Sequence, residues 1–184
     1  DAASSSTKPR FVLGSLGPGT KLPSLGHTTY QKLKHAYYTA AKGLLAAKSD
    51  ALLVETTQDL LQAKAAVNGA RAAITESGRD VILIAQVTVE TTGTMLLGSE
   101  IGAALNALQP LGVDLIGLNC ATGPTEMSEH LRYLSKNART QISVMPNAGL
   151  PILGPDGASY PLGPDELAEA LSTFVDEYGL ALIG

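Results

Sequence analysis

The stretch Asp114 to Pro124, DLIGLNCATGP, is an apolar run that ends abruptly in Asn119 and Cys120 and then meets a Gly-Pro turn. Leu115 to Leu118 show little apolar/polar alternation, as expected of a strand covered on both faces. Pro124 suits the first turn of a helix, and Met127, Leu131 and Leu134 form one stripe after it. A buried strand, a polar strand end and an amphipathic helix make one βα unit.

The same unit recurs outward from this stretch in both directions. Further strand candidates are Phe11–Gly17, Ala51–Thr57 and Val81–Val87 before it, and Gln141–Pro146 and Leu180–Gly184 after it. They recur about every 25–40 residues with helical periodicity between them, the signature of serial βα units on a parallel sheet. The last helix is the clearest. Pro164, Asp165 and Glu166 suit its first turn, Leu167, Ala170, Leu171 and Phe174 share a face, and Gly179 supplies the stop. Gly112 ends the helix around Ile101 to Leu108 in the same way. Asn147 to Gly163, rich in Gly and Pro, reads as a long βα loop. A closed (β/α)₈ barrel needs eight strands, so six units fit either a doubly wound open sheet or an incomplete barrel. Spacing alone leaves both open.

Composition sets the outer bounds. The 184 residues suffice for one domain with a sizeable core, and 45% hydrophobic with 4% aromatic residues is ordinary for an α/β protein. A net charge of −4 without a basic block gives no footprint for nucleic acid or an anionic membrane surface. No apolar run approaches the roughly 20 residues of a membrane helix. The Ser-rich polar start, residues 1–10, reads as a flexible segment without a signal-peptide core, and the rest, 11–184, as the domain. One cysteine excludes an intramolecular disulfide and fits a reducing compartment such as the cytoplasm.

Polar residues gather at the C-terminal ends of the strand candidates, the edge where parallel α/β proteins build their sites. Cys120 is either a small buried hydrophobe or a thiolate able to attack a substrate or bind zinc, which would need further ligands. Glu55 either caps the following helix or offers its carboxylate to a cation such as a substrate ammonium. Asn147 reads as an Asx turn or a ligand contact, and Asn119 is open in the same way. His27, His35 and His130 form no constellation. Gly14 to Thr20, GSLGPGT, matches neither phosphate-binding glycine pattern.

In order and spacing, FVLGSLGPGTK, ALLVETTQDLLQAKAA, IGLNCATGPTEM and VMPNAGLP are similar to homocysteine S-methyltransferase domains, particularly those of cobalamin-dependent methionine synthases. The likeness runs from Phe11 to the last residue. It implies a (β/α)₈ TIM barrel, of which the six units resemble strands three to eight, the eighth cut short. It also implies a zinc ion held by three cysteines, with the homocysteine sulfur as a further ligand. Cys120 would be the first of these and the catalytic metal ligand. The other two are expected in a Gly-Gly-Cys-Cys-Gly motif that would begin where Ala181 to Gly184 stand, and the family's first two strands are expected to have no counterpart in this chain. Glu55 resembles the family's anchor for the homocysteine amino group. Asn119 and Asn147 are expected beside the same substrate.

The chemistry implied is attack by a zinc-held homocysteine thiolate on methylcobalamin carried by another module, recharged from methyltetrahydrofolate in a third. The chain alone is expected to be inactive, and its open barrel edges and apolar interior to favour self-association. Two other readings stand beside this one. The chain is a non-catalytic folded fragment or interaction module, or it belongs to a betaine- or S-methylmethionine-dependent homocysteine methyltransferase.

Overall fold

The computed structural model describes residues 8–155 and 157–184. Seven of the ten positions read as a flexible start therefore lie outside the described residues. Among the described residues eight strands and five α-helices follow in order: β1 (Leu13–Leu16), α1 (Tyr30–Ala46), β2 (Ala51–Thr57), α2 (Leu60–Ser77), β3 (Ile82–Val87), α3 (Ile101–Leu108), β4 (Leu115–Asn119), α4 (Pro124–Asn137), β5 (Gln141–Met145), β6 (Ile152–Gly154), β7 (Gly157–Ser159), α5 (Pro164–Tyr178) and β8 (Leu182–Ile183).

The main sheet is parallel and runs β1-β2-β3-β4-β5-β8. A doubly wound sheet reverses its strand order at a switch point. Here each strand pairs with the one before it in the sheet and the order never reverses, which is the winding of a barrel wall. Six strands make an incomplete barrel, in agreement with the sequence reading. The loop 147–163 contains an antiparallel hairpin, β6 with β7, that its Gly- and Pro-rich composition did not disclose.

Alternate residues of each strand serve different faces. Leu52, Val54, Leu83, Ala85, Ile116, Leu118 and Val144 pack with the helices into the main core. Ala51, Leu53, Ile84 and Leu115 form a second, smaller cluster with Leu13, Met145 and Leu182. Both faces are apolar at this level, which is why the strands read as unbroken runs.

Helix ends follow the local chemistry. Asp59 caps α2, its Oδ1 accepting the Leu61 N–H at 2.8 Å. Glu166 Oε2 accepts the Gly163 N–H at 2.8 Å, and Glu126 Oε2 accepts that of Gly123 at 3.0 Å, closing the starts of α5 and α4. Gly179 ends α5 as expected, at φ +66°. Among the described residues no helix is long and apolar enough to cross a membrane.

Candidate functional site

The C-terminal end of β2 is irregular. Val54 pairs with Ala85 but Thr57 with Val87, so β2 carries one residue more than β3 across this step. Such a bulge re-aims side chains at a strand end. Thr56 takes φ +57°, a left-handed backbone that a β-branched residue adopts at a cost of about 1–3 kcal/mol. Glu55 lies beside it, half-buried, and the Ser15 hydroxyl of β1 donates to its Oε1. The helix-cap role open to Glu55 belongs to Asp59, which also accepts the Ser24 N–H and hydroxyl.

At the end of β4, Asn119 is only 2% exposed. Its Oδ1 accepts the Thr56 N–H at 2.8 Å, and its Nδ2 donates to Thr56 Oγ1 at 2.7 Å and to Cys120 Sγ at 3.3 Å. Cys120 follows the strand at φ +58° and Ala121 at φ +61°. Its N–H donates to Met145 O of β5 at 3.1 Å. The thiol is half-buried, with Thr56 Oγ1 at 4.0 Å from the sulfur. Two consecutive left-handed residues turn the chain sharply off β4.

The end of β5 is tied to the same loop. Asn147 N–H donates to Thr122 O at 3.0 Å, and Gly149 N–H to Asn147 O at 2.8 Å. The turn is thus closed by the Asn147 backbone carbonyl. Gly123 and Gly149 touch where these loops meet: a Cβ on Gly123 would lie 2.6 Å from Gly149 Cα. Neither loop could approach so closely with a side chain there.

Glu55, Asn119, Cys120 and Asn147 are therefore brought to one rim, on the ends of β2, β4 and β5. Below them the sheet's inward side carries buried polar groups, Gln86 Nε2 donating to Ser143 Oγ at 3.1 Å across Gly117. Ser15 and Thr56 escaped the sequence reading. Ser15 lies in β1 within a glycine-rich stretch, where a lone serine carries no signal of a carboxylate partner 40 residues on, and the backbone sign at Thr56 leaves no trace in an ETT run. The histidines stay apart from the rim: His27 and His35 are exposed, and His130 is half-buried on α4. Among the described residues no three His, Cys, Asp or Glu side chains are placed to hold a metal ion.

The family model for homocysteine S-methyltransferase matches residues 1–184. The chain is 66% identical, over its whole length, to a methionine synthase of Mycobacterium tuberculosis, and 68% identical over 95% of its length to that of Mycobacterium leprae. It spans 15% and 14% of those two proteins. In fold it is similar to the homocysteine methyltransferase MmuM from Escherichia coli. The apo form superposes at a TM-score of 0.71 with 20% identity, covering 96% of this chain and 57% of that one. The metallated form gives 0.67, also at 20% identity, covering 96% and 56%.

Proposed function

The chain belongs to the homocysteine S-methyltransferase family, and on that footing we propose that it is the homocysteine-holding part of a larger methionine synthase. The observation that carries the reading is the convergence of Glu55, Cys120 and Asn147 on one rim, stitched by backbone and side-chain hydrogen bonds. In this reading Glu55, oriented by Ser15, receives the amino group of homocysteine. Carboxylate and ammonium are complementary, and partial burial strengthens their attraction over that in water. Asn147, on the loop joined to the Cys120 turn, faces the same amino acid.

Cys120 offers one soft donor to a zinc ion, but a zinc site needs three or four ligands. Among the described residues none stands with it, so these side chains do not make a zinc site by themselves. Zinc accordingly belongs to the parent protein in this proposal, as do methylcobalamin as methyl donor and methyltetrahydrofolate as its source. What this chain's own residues supply is binding and orientation of the acceptor, which convert a bimolecular methyl transfer into a positioned one. The chain by itself is inactive in this proposal.

The experiment is Cys120→Ala in the full-length protein. Zinc content and homocysteine methylation are both expected to be lost while the far-ultraviolet circular dichroism is retained. Methyl transfer at the normal rate would overturn the assignment.

A further inference from the structure

Resting on that reading, we propose that Asn119 is a positioning residue that sets the separation between Glu55 and the Cys120 sulfur, and so the length of amino-acid thiol the site accepts. A substrate contact was the sequence expectation for Asn119. In the structure its carboxamide is engaged by protein partners. Both Nδ2 protons are committed, to Thr56 Oγ1 and Cys120 Sγ, and Oδ1 takes the Thr56 N–H. The side chain is 2% exposed and bridges the ends of two strands that are not neighbours in the sheet, β2 and β4.

The bridge acts where the backbone is least able to hold itself. Thr56 is left-handed and β-branched, in a bulge, and it immediately follows Glu55. Without the Asn119 acceptor the Thr56 N–H would lose its partner, and φ would relax toward the extended region that β-branched residues prefer. That relaxation would swing the chain segment carrying Glu55 relative to β4. At the other end, the same amide holds the sulfur by an N–H···S bond, alongside a backbone bond from Cys120 to Met145. A ligand whose amino group meets Glu55 and whose sulfur lies beside Cys120 spans this distance. Homocysteine and cysteine differ by one methylene, the kind of difference a well-shaped site discriminates about 10- to 200-fold.

The test uses the full-length protein that carries this chain. KM and kcat are measured for homocysteine, and cysteine is titrated as a competing occupant of the site. Asn119→Ala is expected to lower the preference for homocysteine over cysteine about tenfold. Adding Thr56→Gly should restore most of it, because glycine keeps the left-handed turn without the hydrogen bond. A preference that stays unchanged in folded Asn119→Ala protein, or that falls and is not recovered by Thr56→Gly, overturns the proposal. Should Asn119→Ala not fold, Thr56→Ala removes the Oγ1 arm alone, with an expected loss of about threefold. An unchanged preference there is equally fatal. Absence of homocysteine turnover in the unmodified protein would sink the functional reading as well, whereas normal turnover with an indifferent Asn119 sinks this inference alone.

Discussion

The two faces of the six-stranded sheet are built from alternate residues of the same strands, yet they differ in kind. The helix-covered face is closed and apolar: Leu52, Leu83, Ile116, Leu131 and Leu134 are each fully buried in one continuous core. The inward face is apolar only toward its lower end, where Phe11, Leu13, Ile82, Ile84 and Leu182 line a concavity of about 500 Å³. Toward the rim it turns polar, through Gln86 and Ser143 to Asn119 and Glu55. One face is the closed core and the other carries the polar rim.

That division can be broken most severely from the helix side. Leu131→Ala should cost about 2–5 kcal/mol in a denaturant titration, because a fully buried leucine leaves a cavity among close-packed neighbours. A loss under 1 kcal/mol would mean that this face is loosely packed. Next in size is Gly117→Ala, where the new Cβ would lie 1.9 Å from the Ser143 carbonyl oxygen. An overpacking loss of about 1–3 kcal/mol is expected, together with a displaced Gln86–Ser143 contact. Ile82→Ala, on the open lower part of the inward face and 50% exposed, should cost at most about 1 kcal/mol. A cost equal to that of Leu131→Ala would show that something covers this concavity in solution.

The smallest effect concerns pH. Burial pulls His130 below its usual pKa of 6.5, with Glu129 acting in the opposite sense. The unfolded chain therefore binds this proton more readily than the folded one, and stability declines as pH falls below the ordinary histidine range. His130→Gln should flatten the stability profile there, and an unaltered slope between about pH 7 and 5 would contradict the sign.

Strand identity was legible because apolar runs bounded by turn residues admit few alternatives. Ala51–Thr57 matches the sequence reading at both ends, and the others differ by one or two residues. The ends moved for local reasons. Asp114 falls outside β4 because its carboxylate accepts the Leu83 N–H, and Cys120 because its backbone turns left-handed. Strand order was not legible in the βα rhythm, which a barrel and a doubly wound sheet share, and came only with the family resemblance. It is pairing that separates them, and pairing is a long-range property. The gathering of Glu55, Cys120 and Asn147 was readable from polar residues at strand ends. The part played by Asn119 was not, because hydrogen bonds over 63 positions of chain, from Asn119 to Thr56, have no local signature.

The unreversed strand order bears on how the molecule is made. Apart from the β6–β7 hairpin, each new strand docks on the strand emerging just before it, so the sheet grows at a single edge. Loop closures then span only one βα unit, and the entropy each must overcome increases slowly with its length. Growth from a single edge also lets synthesis and folding proceed in the same direction, from β1 toward β8.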